Sequence, residues 1–180
     1  MILKNVLLLA VATALCVGSL IAAPTGSEEK NIGWDAMLAL VRKRFPKVTQ
    51  LSTAELDVWL KDPQRPKPHL LDAREPAEYA VSHLVGAVRV SPDATAKEIL
   101  ASLDSGRPIV VYCSVGYRSS RLATRLLENG RVSVSNLEGS IFTWANEKRP
   151  LVGVDGHATT LVHPFDSVFG RLLKPECRAP

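Results

Sequence analysis

Five consecutive residues, Pro108-Ile109-Val110-Val111-Tyr112, do not alternate between apolar and polar side chains. A strand with one wet face alternates; a strand apolar at both parities is covered on both sides, as a central strand of a parallel sheet is. The neighbouring chain has the spacing such a sheet needs. Leu70-Leu71, Ala87-Val88-Arg89-Val90 and Val132-Ser133-Val134 read as further strands, with helices predicted over 76–81, 94–103 and 119–127 between them. In the last helix Leu122, Ala123, Leu126 and Leu127 share one face, and Asn129-Gly130 supplies the stop. This alternation predicts an α/β fold with a mostly parallel central sheet flanked by helices on both faces.

The 180 residues suffice for one domain with a substantial core but not for two of full size. Ahead of the first strand, Ser52-Thr53-Ala54-Glu55 has the pattern of a capping box, opening a helix through Trp59 and Leu60 that Asp62-Pro63 closes. The basic, proline-rich piece from Gln64 to Pro68 is a loop. Earlier still, residues 24–47 read as a polar linker (24–31) and an accessory helix, in which Trp34, Met37, Leu38, Leu40 and Val41 suit one face. Residues 151–180 form a C-terminal extension whose scattered apolar positions, Leu161, Val162, Phe165, Val168, Phe169, Leu172 and Leu173, suit a short amphipathic segment packing back on the domain.

Residues 1–23 differ from the rest. Lys4 precedes an uncharged stretch that runs to Ala23, after which Pro24-Thr25-Gly26-Ser27-Glu28-Glu29-Lys30 turns polar, the layout of a secretory signal. Leu20 or Ile21 stands where cleavage wants a small residue, and the stretch approaches the ~20 residues that span a bilayer. The segment therefore reads either as a cleaved signal peptide or as a retained N-terminal membrane anchor. Lipidation at Cys16 is the weaker alternative, because Leu15 precedes it. Each reading predicts an exported protein, periplasmic or otherwise extracytoplasmic.

The net charge of +4 is modest, and the basic residues are scattered and not clustered beside aromatics, which speaks against nucleic-acid binding. The three cysteines, Cys16, Cys113 and Cys177, are too few for a disulfide framework, and no Cys/His cluster suggests zinc. His157 and His163, six apart, specify no metal site.

The most informative stretch is Tyr112-Cys113-Ser114-Val115-Gly116-Tyr117-Arg118-Ser119-Ser120, where the buried strand hands over to a helix. Ligands bind at the carboxyl ends of parallel strands, and a helix N-terminus offers unpaired amides to negative charge. Inward-pointing amides and the nearby Arg118 would lower the pKa of Cys113 and hold the anion that its thiolate attacks. Cys113 is thus the candidate nucleophile, and Ser114, Val115, Gly116, Tyr117 and Arg118 the substrate cradle. A buried structural thiol is the competing reading of Cys113 alone. Gly116 lets the backbone turn, and Ser119 or Ser120 is expected to cap the helix. Arg121, a cation in the first helical turn, opposes the macrodipole unless an anion binds there; it reads as a supporting contact or as a solvated surface side chain.

The blocks Leu71-Asp72-Ala73-Arg74-Glu75-Pro76-Ala77-Glu78-Tyr79, Ser82-His83-Leu84-Val85-Gly86-Ala87, the Cys-x-x-Gly-x-Arg-Ser loop at 113–119, Asn136-Leu137-Glu138-Gly139-Ser140 and Trp144 stand in an order and spacing that resemble the rhodanese family over roughly residues 48–150. The resemblance implies a rhodanese-like fold and a ping-pong sulfurtransferase. Cys113 would accept a sulfane sulfur from a small anionic, thiosulfate-like donor, carry it as a persulfide, and pass it to a thiol or cyanide acceptor. No metal or organic cofactor is implied. The four residues between Cys113 and Arg118 match the sulfurtransferases, whereas phosphatases of similar fold carry a longer loop. The loop also differs from the basic loop of thiosulfate-preferring two-domain enzymes and from the glycine-rich loop of the mercaptopyruvate enzymes, so the donor's identity stays open.

Asp72 and Arg74 are expected near the site in a supporting, structural role, with Arg74 paired to Glu78. The family pattern has His83 fixing a helix-to-strand turn. Ser140 stands where the family usually has glycine, a change expected to leave the nucleophile untouched. Cys177 reads as a free tail thiol, with a disulfide to Cys113 as the alternative. The rival function is a noncatalytic rhodanese-like module that binds a partner or carries sulfur within a complex; the retained Cys113, Gly116 and Arg118 count against it.

Overall fold

The computed structural model describes residues 28–91 and 93–180. The predicted export segment 1–23, with Cys16, and residues 24–27 of the linker lie outside the described residues. In chain order the elements are α1 (Glu28–Arg44), β1 (Thr49–Leu51), α2 (Thr53–Lys61), β2 (His69–Asp72), α3 (Pro76–Val81), β3 (His83–Leu84), β4 (Val88–Arg89), α4 (Ala96–Ala101), β5 (Ile109–Tyr112), α5 (Tyr117–Glu128), β6 (Val134–Leu137), α6 (Ser140–Asn146), β7 (Leu151–Val152) and β8 (Ala158–Thr159). Two short 3-10 turns, Phe169–Leu172 and Pro175–Cys177, follow.

The main sheet runs β1-β6-β5-β2-β4, and each of its pairings is parallel. Antiparallel pairs occupy a small separate sheet, β3-β7-β8. The chain steps outward from β2 to β4 in one direction and from β5 to β6 in the other, so the order reverses between β2 and β5. Such a reversal leaves a crevice at the carboxyl ends of those two strands.

All four residues of β5 are buried. Strand geometry sends Ile109 and Val111 into one core, with Leu71, Ile99 from α4 and Leu122 from α5; Val110 and Tyr112 enter the other, with Leu56 from α2 and Phe142 and Trp144 from α6. The non-alternating run thus has helices on both sides, as expected. Both bonds of the Ser52–Glu55 capping box are present, and a second box, Thr95–Glu98, opens α4.

Several boundaries differ from expectation. The strand placed at 132–134 begins only at Val134 and runs to Leu137, while Val132 is 91% exposed. Arg131 explains the shift: its amide bonds back to Leu126 O at 3.1 Å and its guanidinium to the carbonyls of Asp104 and Arg107, holding the chain in a turn despite the β-branched residue that follows. α5 starts at Tyr117, α4 spans less than the expected 94–103, and α1 begins at Glu28, inside the expected linker. Short elements without a periodic signal, β1, α6 and the small sheet, were not legible in the sequence.

The tail does pack back. Val162, Leu173 and Cys177 are buried in the core that holds Leu56 and Trp144. The Asn146 side chain ties it down, donating to Leu172 O at 2.7 Å and accepting from the Lys174 amide at 2.8 Å. α1 meets the same segment through the Trp34 indole, which donates to Leu172 O at 3.2 Å.

Leu173 is 1% exposed, so Leu173→Ala is expected to cost about 2–5 kcal/mol. Urea unfolding should show one transition with an unchanged slope, because the tail unfolds with the sheet; a separate early transition would show it to be independent.

Candidate active site

Cys113 follows the last residue of β5, beside the reversal of strand order. The turn into α5 needs φ of 106° at Gly116, the cap residue of that helix; a Cβ there would also stand 3.2 Å from Asn136 Nδ2. The loop's carbonyls are drawn away from the sulfur: the amides of Ile141 and Phe142, in the first turn of α6, donate to Cys113 O and Ser114 O, both at 3.2 Å. This leaves amides on the sulfur side, and Gly116 N–H donates to Cys113 Sγ at 3.2 Å.

Burial of Cys113, 1% exposed, by itself raises the thiol's pKa, but the Arg118 charge and hydrogen bonding from Ser119 and Gly116 outweigh it. The net direction is below an ordinary cysteine. Ser119 Oγ lies 3.4 Å from Sγ and donates to Asn136 Oδ1 at 2.6 Å, while Asn136 Nδ2 donates to Gln50 Oε1 at 2.7 Å. The expectation that Ser119 or Ser120 caps α5 is therefore corrected. Both lie inside the helix; Ser119 turns to the sulfur and Asn136, and Ser120 Oγ is buried.

A second correction concerns Glu78. Arg74 does not pair with it: Arg74 Nε and Nη2 close on Asp72 Oδ1 and Oδ2 at 2.8 and 2.6 Å, and Nη2 also reaches Ser82 O at 2.6 Å. Asp72 and Arg74 are wholly buried and brace the turn after β2. Glu78 sits in the first turn of α3, where the Glu75 amide donates to Oε2 at 3.1 Å and aims the carboxylate at the loop. There it takes Arg118 Nη1 and Nη2 and the Ser114 hydroxyl, each at 2.7 Å. Burial raises the pKa of Glu78, but the bonds from Arg118 and Ser114 hold its carboxyl below the usual range.

Arg118, expected as a free substrate-binding charge, is thus already ion-paired, and Nη2 further donates to Ser114 Oγ at 2.9 Å. The cavity over Cys113 is lined within the loop by Ser114, Val115, Tyr117 and Arg118. Tyr117 is partly exposed and packs edge-on against Phe45 at 5.1 Å. Arg121 is exposed and does not line the cavity. His83 stacks on Tyr79 at 4.0 Å, at the junction from α3 to β3.

Ser140 overturns one more expectation, because it does touch the nucleophile's backbone. Its hydroxyl accepts the Cys113 amide at 3.1 Å and donates to Leu137 O at 3.0 Å. Its φ of 51° lies in the left-handed region. The two hydrogen bonds hold a conformation that a glycine would adopt freely. The sequence marks this position only by the missing glycine. Cys113 and Cys177 are both free and buried.

A family model described as Rhodanese-like domain matches residues 55–147. The chain is 32% identical over 81 residues to YqhL of Bacillus subtilis, which is 45% of this chain and 64%, just under two thirds, of that protein. It is 32% identical over 87 residues to a sulfurtransferase of Allochromatium vinosum, or 48% of this chain and 80% of that one. Among solved structures, the rhodanese-like domain of Alr3790 from Anabaena sp. aligns with a TM-score of 0.53 at 26% identity, covering 58% of this chain and 79% of that one.

Alkylation of Cys113 by iodoacetamide should be half-maximal at a pH below the ~8.5 of an ordinary cysteine. In Glu78→Gln the midpoint should fall further, since Arg118 loses its counter-charge. That variant should also lose up to about 3 kcal/mol, the low end for a broken buried pair because the Arg118 side chain is 19% exposed. The Glu78 carboxyl is depressed in the folded chain, so its contribution is complete above about pH 4.3 and vanishes as pH falls through the folded value. Acid denaturation should accordingly be less steep in the variant, and an unchanged acid limb would contradict the assignment.

Proposed function

Because the chain belongs to the rhodanese-like domain family, we propose that it is a sulfurtransferase that moves a sulfane sulfur through a persulfide on Cys113, from a thiosulfate-like donor to a thiol or cyanide acceptor. The observation that carries this reading is the Cys113 sulfur itself. It lies at the base of a cavity at a strand-to-helix junction, receives a backbone N–H, and is held toward the thiolate beside Arg118.

In the first half-reaction the Cys113 thiolate attacks the donor's outer sulfur. The bond between that sulfur and the rest of the donor breaks, and its electron pair leaves on the departing group. The persulfide anion then sits where the Gly116 and Ser119 amides face the original thiolate, so the same dipoles serve both charged states. In the second half-reaction the acceptor attacks the terminal sulfur, and the electron pair of the broken S–S bond returns to Cys113. The split replaces one transfer between two anions by two steps on a fixed sulfur. Glu78 is a positioning residue: it fixes Arg118 without touching the sulfur.

The sequence of residues 1–23 supports an exported location for this activity, with the segment either removed or kept as an anchor.

Intact mass of the reduced protein, before and after a sulfane donor, tests the chemistry. The parent should gain one sulfur atom that cyanide discharges, and Cys113→Ala should gain none. No gain with several sulfane donors would favour a partner-binding module instead.

A further inference from the structure

Four of the nine residues that line the cavity over Cys113 come from chain outside the matched residues 55–147. Met37 and Leu40 come from α1, and Phe165 and Phe169 from the tail; they enclose about 340 Å³ with the 113–118 loop at its base. That is within the range of small-molecule sites. The walls are held in place. Phe165 and Phe169 stand edge to face at 5.8 Å, and Asp166 Oδ1 accepts the Val168 and Phe169 amides, both at 2.8 Å. Phe165 has a left-handed φ of 67°, and its amide donates to His163 Nδ1 at 3.0 Å. Arg42 of α1 donates to both Glu138 oxygens, at 2.7 and 2.8 Å, and so ties α1 to the end of β6. The rim is apolar and open to water, with Leu40 50% and Phe165 41% exposed.

Charge narrows the occupant. Arg118 is the cation that lines the cavity; Glu78 neutralises it bidentately, and the Phe165 ring covers it at 4.6 Å. With Cys113 as thiolate, Arg118, Glu78 and the sulfur sum to one negative charge. A dianion as compact as thiosulfate would meet that charge without an unpaired cation among the lining residues, and would leave the aromatic wall uncovered. A monoanion with an apolar substituent avoids the first cost and fills the second space.

We propose that the donor is an organic sulfane-sulfur monoanion whose apolar group seats between α1 and the tail, against Leu40, Met37, Phe165 and Phe169. This rests on the sulfurtransferase reading and specifies its substrate class. For a thiosulfonate, Cys113–S⁻ and R–SO2–S⁻ yield Cys113–S–S⁻ and the sulfinate R–SO2⁻. For an organic persulfide, Cys113–S⁻ and R–S–S⁻ yield Cys113–S–S⁻ and the thiolate R–S⁻. In each case one S–S bond forms, one breaks, and the charge is conserved.

The test compares kcat/KM of the full chain for benzenethiosulfonate, methanethiosulfonate and thiosulfate, with cyanide as acceptor. Burying a ring in place of a methyl group predicts about a tenfold or greater preference for the benzene donor over the methane donor, with thiosulfate the poorest. Phe165→Ala, and separately Leu40→Gln on the half-exposed rim, should each shrink the benzene-to-methane ratio about threefold or more. Benzyl persulfide generated in situ separates the two sources. A kcat/KM above that of benzenethiosulfonate assigns organic persulfides and one below it assigns thiosulfonates, and each supports the apolar site. If the donors load Cys113 but the parent's ratio is near one, or neither variant changes it, the proposal is overturned and the sulfurtransferase reading stands. If no donor adds sulfur to Cys113 by mass, both fall together.

Discussion

The carboxylate of Glu78 is the point on which the site depends. A buried carboxylate is costly unless its oxygens are filled, and here two guanidinium nitrogens, a hydroxyl and a backbone amide fill them. Meeting that requirement joins three parts of the chain: the start of α3, the loop after β5 and the first turn of α5. Arg118 is therefore held in one orientation beside the sulfur, at the expense of most of its charge. The arrangement gives a fixed, largely neutralised wall in place of a strong anion trap.

The sulfur is served in the same way, by dipoles that were oriented before any substrate arrives. α6 takes the carbonyls of Cys113 and Ser114, Ser140 takes the Cys113 amide, and the Gly116 amide is left for Sγ. A row of side chains, Gln50, Asn136 and Ser119, runs from the edge strand to the nucleophile and keeps α5 in register with β6. Such preorganisation avoids reorganisation cost when charge moves during reaction.

What lies beyond the family match changes the site's character. The matched part alone would present the loop to solvent on the side that α1 and the tail now wall. Apolar residues at helical spacing in α1 and scattered ones after Pro150 have a common explanation, since both segments bury one side on the domain and present the other to the mouth over Cys113. Arg42–Glu138 and Trp34–Leu172 anchor that arrangement through groups far apart in sequence.

The fold was legible because burial on both faces leaves its mark residue by residue: Ile109 to Tyr112 cannot alternate, and the helices around them must show one apolar stripe. The capping box at Ser52 and the nucleophile at a strand-to-helix junction were legible for the same reason, being local patterns of a few residues. The strand at 134–137 was misplaced because a long-range bond pattern around Arg131 overrode local β-propensity. The partner of Glu78 is not legible in sequence, which shows the arginine at i−4 but not the one 40 residues away. The sequence by itself determined the layered α/β plan and marked Cys113 as the candidate nucleophile. The tertiary structure alone decided which groups surround the Cys113 sulfur, because pairing of buried charges and the walls of a cavity are set by segments that meet only on folding.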